Sequence, residues 1–339
     1  MAPRKFAGFI DLQVNGYMGV DFSGADLTEK ACADSFQAIL DSGTVGFLPT
    51  LITSSRETYR RNLPIIRSVM ARDEFRNHVL GIHLEGPFLS PEPGAIGAHN
   101  PELATQADVA FLEEMLALCD GTRLLLTVAA DVEGAETVIK AAAERGAVVS
   151  LGHQLALEED LDRAVRAGAT ALTHLGNGLP LMLPRHPNTI FAGLAEDRLT
   201  AMIITDGHHI PPALIKTVLR TKGVERTVVT SDASPLAGLS PGEYHSMGAD
   251  VVLEPSGRLH DPVKGNLVGS SYSMLRCMNV LAELDLVRFE DLYRLGVTNP
   301  LALIGMRDVP EFAGTRTGQH VAVEDGRFEV RAAAGAAGG

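Results

Sequence analysis

The chain is short of cysteine, of positive charge and of long apolar runs, and each shortage excludes a class of protein. Its three cysteines, Cys32, Cys119 and Cys277, are far apart, odd in number and without metal-ligand spacing. They form no disulfide framework and no thiolate cluster, so they read as buried small apolar residues in a reducing compartment. Asp and Glu (42) outnumber Lys and Arg (29), leaving a formal net charge of −13. That balance argues against nucleic acid or an anionic membrane as the main partner, and any phosphate-bearing substrate would need a local cationic pocket. No apolar run reaches the ~20 residues of a membrane span, and the basic start Met1-Ala2-Pro3-Arg4-Lys5 lacks the apolar core of a signal peptide. The expected location is the cytoplasm. No Gly-x-Gly-x-x-Gly follows the first strand-like segment, which disfavours a doubly wound nucleotide-binding sheet.

Hydrophobic residues make up 45% of the 339 positions and charged residues 21%, enough for one large core and too few charges for wholesale disorder. Short apolar runs alternate with helical periodicity. Strand-like runs fall at 7–14, 45–52, 80–84, 123–129, 147–151, 169–173, 199–205 and 226–230. Helical patterns occupy 27–41, 56–72, 108–119, 135–145, 158–167 and 212–222. Eight strands with intervening helices predict an α/β fold, a (β/α)₈ TIM-like barrel. After residue 232 the chain becomes rich in Gly and Pro, with a short strand at 249–253 and a turn at Glu254-Pro255-Ser256-Gly257. Helical patterns return at 271–284 and 290–295, and a hairpin is expected around Glu324-Asp325-Gly326. The expected organisation is a barrel over 1–239 and 269–313, a reduced small β-structure from 240–268 and 314–331, and a disordered Ala/Gly tail at 332–339.

The chemistry sits where strands end. His83-Leu84-Glu85-Gly86-Pro87-Phe88, Leu151-Gly152-His153, Thr173-His174-Leu175 and Ser231-Asp232-Ala233 each close an apolar run. In a barrel, the C-terminal strand ends open on one face, so Glu85, His153, His174 and Asp232 converge there. One carboxylate and two imidazoles are a catalytic zinc set that leaves positions open. Asp232 reads either as a general base beside that metal or as a helix N-cap. The first strand carries Gln13 and Asn15 at period two, where barrel hydrolases often have His-x-His. Neutral amides are poor ligands for zinc-like ions. One divalent metal per chain is therefore expected, with Gln13 and Asn15 left to hydrogen-bond to water at the metal. Zn²⁺ is the first choice; Fe²⁺, Co²⁺ and Mn²⁺ suit the same donors.

Together with Gly8 to Gly16, Pro49-Thr50, Gly97-Ala98-His99, Gly176-Asn177 and Asp206-Gly207-His208-His209, these motifs resemble the N-acetylglucosamine-6-phosphate deacetylase family of the amidohydrolase superfamily. The match runs in the family's order from about Phe6 to Gly269, more weakly to Pro300. The resemblance implies hydrolysis of the N-acetyl group of N-acetylglucosamine 6-phosphate; another N-acyl amino sugar or a cyclic amide is the alternative. It implies Glu85, His153 and His174 as the ligands of a single metal, and Asp232 as the catalytic aspartate. It also implies His99 beside the scissile amide, Asn177 and Gly178 at the sugar phosphate, Arg185 as the phosphate arginine, and His209 rather than His208 in the Asp-Gly-x-His motif. His186 is a further candidate donor, and a homodimer is implied because the arginine can serve a neighbouring subunit. Three features depart from the family. The barrel begins almost at once, Ala129-Ala130-Asp131 replaces Ala-Pro-Glu, and Asn177-Gly178-Leu179 replaces Asn-Ala-Met.

Overall fold

The computed structural model describes residues 5–306 and 319–332. Eight parallel strands form one sheet, in chain order: β1 Phe9–Val14, β2 Thr44–Ile52, β3 Ile82–Glu85, β4 Leu124–Val128, β5 Val148–Leu151, β6 Ala169–Leu172, β7 Thr200–Ile204 and β8 Thr227–Thr230. Helices cover the outside: α1 Glu29–Asp41, α2 Arg56–Met70, α3 Val109–Leu118, α4 Ala135–Glu144, α5 Glu158–Ala167, α6 Thr189–Ala195, α7 Pro212–Thr221 and α8 Met274–Glu283. This is the expected barrel. With side chains inside and helices outside, both strand faces are dry; every residue of β1 and β2 is buried. That is why the strands carry apolar residues toward both faces, with polar ones such as Asp11, Gln13 and Thr50 confined to the barrel interior and its seam. Thr28, Ser55 and Asp108 cap α1, α2 and α3 by accepting bonds from first-turn N–H groups.

The sheet is nearly closed. Between β8 and β1 there is no regular ladder, only a parallel bridge from Val14 to Ala233 and a bond from Asn15 N–H to the Ala233 carbonyl at 2.8 Å. Side chains complete the seam. The buried Asp11 carboxylate of β1 accepts from Thr230 Oγ1 at 2.8 Å, Ser231 N–H at 3.1 Å and Ser231 Oγ at 2.5 Å. Burial raises the Asp11 pKa above its ordinary value despite these donors. Nearby, the β1–β2 register shifts between Asp11 and Val14, opposite Pro49, where a proline costs no regular ladder bond.

A polar layer crosses the barrel one step below the mouth. His83 sits two residues before Glu85 on β3, so both face inward. Its ring contacts Thr50 Oγ1 at 3.2 Å and Thr127 Oγ1 at 2.8 Å; Thr127 reaches Thr173 at 2.8 Å, and Thr173 donates to Ser150 at 2.6 Å. The layer links five elements with its hydroxyls satisfied internally.

The minor β-structure differs from expectation in its pairing. The described strands of 240–268 and of 319–331 do not share a sheet. Gly242–Ser246, Ala249–Leu253 and Leu259–His260 form one antiparallel sheet. His320–Glu324 and Arg327–Arg331 form the expected hairpin, turning at Asp325 and Gly326, and take Lys5–Phe6 as a third strand. This second sheet is held to the barrel by edge-to-face rings, Phe6 on Phe9 at 5.1 Å and Phe9 on Phe328 at 4.9 Å. α6 is an addition that the periodicity does not show. All three cysteines are free and buried, and burial pushes the Cys32 and Cys119 thiols up to about 12. Most of the expected tail lies outside the described residues.

Asp11→Ala is expected to strand three buried donors at the seam and to cost about 2–4 kcal/mol. Urea unfolding checks this as a lowered midpoint at unchanged slope.

Candidate active site

Glu85, His153, His174 and Asp232 meet at the C-terminal mouth of the barrel, and all four are buried. Glu85 is the last residue of β3. His153, His174 and Asp232 each lie just beyond a strand and hold φ angles of 51°, 29° and 52°. The left-handed region is unfavourable for residues with a Cβ. Three such residues at one mouth mark strain held for function, because the turn swings each side chain inward. Asp232 caps no helix: the next one, α8, begins at Met274. Its Oδ1 instead accepts from Asn15 Nδ2 at 2.8 Å.

One oxygen organises the cluster. Glu85 Oε1 lies 2.8 Å from His174 Nε2, 3.2 Å from His153 Nε2 and 2.9 Å from Gln13 Nε2. Burial raises the Glu85 pKa, and bonds from His153 and His174 outweigh it, holding the carboxyl well below its ordinary range. Burial and the Glu85 charge push Asp232 up to about 6, against the opposing pull of His174 and His209. His99 enters from the loop after β3, with its ring 4.4 Å from that of His153, and burial takes it down to about 3.

The donors fit a metal. Glu85, His99 and His153 offer ligand atoms within 4.8 Å of one another, and His174 Nε2 shares the same Glu85 oxygen. His153 Nδ1 lies 2.7 Å from the Ala95 carbonyl, the outer bond that leaves Nε2 free to ligate. His174 Nδ1, Gln13 Oε1 and Asn15 Oδ1 are buried without hydrogen-bond partners. Orphaned polar atoms at one place point to a bound group that would use them.

Around this centre the mouth encloses about 270 Å³, lined by Asn15, His99, Asn177, Gly178, His209 and the 265–269 strap among others. Gly178 packs on the catalytic ring: a Cβ there would sit 2.8 Å from His153 Nδ1, and its φ is +62°. His209 faces the cavity with Nδ1 2.8 Å from Asp206 Oδ2. Asp206 also accepts from Ser270 Oγ at 2.8 Å and from the N–H groups of His208 and His209. His208 turns away, toward the Ser256 carbonyl and the Tyr272 ring.

Arg185 and His186 are not brought to the cavity. Both are exposed, and His186 stacks on Phe191. Their loop runs outward past Leu181 and Met182, so spacing after His174 does not translate into reach within one chain. Three contributors escaped the sequence reading: Asp11 at the seam, Thr53 beside His99, and Ser270 behind Asp206. Their neighbours are remote in sequence, and only Asp11 lies in a quoted motif.

A parallel barrel with Glu, two His and an Asp at its C-terminal mouth defines a metal-dependent hydrolase of the amidohydrolase type. No family model matches the chain. It is 34% identical over 312 residues to the N-acetylglucosamine-6-phosphate deacetylase of Bos taurus, spanning 88% of this chain and 74% of that one. It is 30% identical over 303 residues to the N-acetylgalactosamine-6-phosphate deacetylase of Escherichia coli O157:H7, spanning 89% and 78%. The crystal structure of N-acetyl-D-glucosamine-6-phosphate deacetylase from Mycobacterium smegmatis superposes with a TM-score of 0.85 at 26% identity, covering 97% of this chain and 86% of that one. A mutant of that enzyme, solved in complex with N-acetyl-D-glucosamine-6-phosphate, also gives 0.85 at 26% identity, covering 97% and 85%. The chain belongs to the N-acetylglucosamine-6-phosphate deacetylase family.

The purified protein is expected to hold one equivalent of divalent metal. Metal at about 1,000 times its Kd stabilises by roughly 4 kcal/mol. Melting with and without chelator measures the gain, and Glu85→Ala is expected to abolish it.

Proposed function

We propose that this protein is an amidohydrolase that removes the acetyl group of N-acetylglucosamine 6-phosphate, giving glucosamine 6-phosphate and acetate. The observation that carries the reading is the placement of Asp232 across the mouth from Glu85, His153 and His174, with His99 on the rim. Those three ligands would hold one divalent metal, most simply Zn²⁺, which when bound supplies Lewis acidity toward water and the acetyl carbonyl. Asp232 takes the proton of the attacking water and returns it to the leaving amine. Asn15 holds one Asp232 oxygen and leaves the other free for that proton. Gln13 fixes Glu85. His99 donates to the carbonyl oxygen as negative charge develops on it.

Asn177, Gly178 and His209 are assigned to the sugar phosphate. Arg185 is assigned to the phosphate of a neighbouring copy in a homodimer. Its exposure supports this, as does the apolar surface beside it: Leu181 is 99% exposed and Met182 86%. No helix among the described residues is long and apolar enough to cross a membrane, and a cytoplasmic site of action fits a sugar phosphate.

Asp232→Asn is expected to keep fold and metal and to lose ~10²–10⁴-fold in kcat. Because the base must be ionised, activity falls as pH drops through its pKa. Asp232 is pushed up to about 6 without metal; a bound cation pulls it down, so the acid limb of kcat belongs at or below that value. A limb above pH ~7 would place the base elsewhere.

Arg185→Ala is expected to cost about 10- to 150-fold in kcat/KM on the 6-phosphate sugar, the worth of one charged hydrogen bond, and little on the unphosphorylated sugar. Equal behaviour on both sugars would remove Arg185 from phosphate binding.

A further inference from the structure

We propose that Thr53 sets the tautomer of His99, so that the ring presents Nε2–H to the cavity as a hydrogen-bond donor and offers no lone pair there. Thr53 is thereby a positioning residue. The proposal rests on the deacetylation reading only for what the donor acts on; the tautomer is a property of the free protein.

Thr53 is buried in the turn after β2, against the end of β3. Its backbone N–H points at His99 Nδ1 from 3.3 Å, and its Oγ1 lies 3.0 Å from the same nitrogen. A backbone N–H can only donate, so Nδ1 supplies a lone pair. In a neutral imidazole the hydrogen must then sit on Nε2. The Thr53 hydroxyl has one hydrogen, and the 3.0 Å contact to Nδ1 is shorter than its 3.4 Å contact to the Glu85 carbonyl oxygen, so the ring nitrogen receives it. Gly86 makes room for the arrangement: at its φ of +97° a Cβ would lie 2.3 Å from Thr53 Oγ1.

The adjacent ring shows the opposite setting. His153 Nδ1 faces the Ala95 carbonyl, which can only accept, so His153 carries a hydrogen on Nδ1, and its Nε2, 3.2 Å from Glu85 Oε1, is the nitrogen that a metal would take in place of a proton. Two imidazoles whose centroids are 4.4 Å apart are thus given different jobs by their outer partners. The distinction matters because His99 lies close enough to Glu85 and His153 to be counted among the metal's donors. Proximity admits it; the Thr53 N–H withholds it. His99 Nε2 stands 3.7 Å from Glu85 Oε2, beyond a good hydrogen bond, so its hydrogen remains available to a substrate oxygen.

Nuclear magnetic resonance of the protein labelled with ¹⁵N-histidine reads the tautomer directly, with the His99 signals assigned by their loss in His99→Asn. The expected result at neutral pH is hydrogen on Nε2 and none on Nδ1. Hydrogen on Nδ1, or on both nitrogens, overturns the proposal. Thr53→Val removes the hydroxyl bond to Nδ1 at constant shape and keeps the backbone N–H, so the tautomer is expected to hold while the ring loses its second anchor; Thr53→Ser keeps both bonds. Thr53→Val is expected to lower kcat on N-acetylglucosamine 6-phosphate about tenfold with KM within about twofold, and Thr53→Ser to restore most of the loss. Unchanged kcat in Thr53→Val, or a loss that serine does not rescue, would overturn the positioning role. If the wild-type protein deacetylates nothing, the proposed reaction fails, and the tautomer measurement still decides this inference by itself.

Discussion

The seam between β8 and β1 is where the site is assembled. Gln13 and Asn15 belong to the first strand and its end, Asp232 to the last. They become neighbours only because the sheet curls until Asp11 can bond Thr230 and Ser231. Side-chain bonds replace a ladder there, and that has a consequence for position. A ladder would fix the backbone and leave Asp232 pointing where the pleat sends it. The Asp11 contacts stop just short, at Ser231, and Asp232 then turns into the left-handed region and over the mouth. The Asn15 amide meets its carboxylate from the other side of the seam.

Burial sets the electrostatics and directional bonds divide the labour. Two carboxylates, Glu85 and Asp232, are buried at one mouth: the histidines hold Glu85 down in pKa, while burial and the Glu85 charge push Asp232 up. Glu85 gathers the histidine bonds and stays ionised. Asp232 receives one amide bond and sits near the range in which a proton can be taken and returned. The imidazoles divide by their outer partners: Ala95 prepares His153 to ligate, Thr53 prepares His99 to donate, and Asp206 orients His209 toward the outer part of the cavity. None of these partners needs to touch substrate to decide what its histidine can do.

What the chain discloses before folding follows from how local each feature is. Barrel strands are legible because an interior strand is buried on both faces and so is mostly apolar, and Glu85, His153, His174 and Asp232 because each ends such a run. α6 was missed because seven residues, Thr189–Ala195, are too few and too apolar to show helical period. Of the minor strands, Ala249–Leu253 and the late hairpin were found, and Gly242–Ser246, Leu259–His260 and Lys5–Phe6 were not. Lys5–Phe6 pairs with residues more than three hundred positions away, and no local pattern encodes that. Thr53 is silent for the same reason, since a threonine after a strand acquires its role only when the loop carrying His99 folds back onto it. Arg185 is the reverse case, conspicuous by spacing and yet outside the cavity of its own chain.

That last contrast bears on how an acidic protein handles an anion. With a net charge of −13, the long-range field disfavours a sugar phosphate, so recognition has to be local. The cavity wall offers Asn177, Gly178 and His209, and His209 is already engaged by the Asp206 carboxylate. One half-buried histidine and neutral groups are a weak counter to a doubly charged phosphate. The arginine that would complete the set lies on a loop that also carries Leu181 and Met182, whose apolar side chains face solvent. An exposed cation flanked by exposed apolar surface is badly placed for a monomer and well placed for a contact that delivers the cation into another cavity. In the proposed homodimer, substrate charge and subunit association would be one problem with one solution: the surface that would bury Leu181 and Met182 would also supply the charge that the cavity wall of one chain lacks.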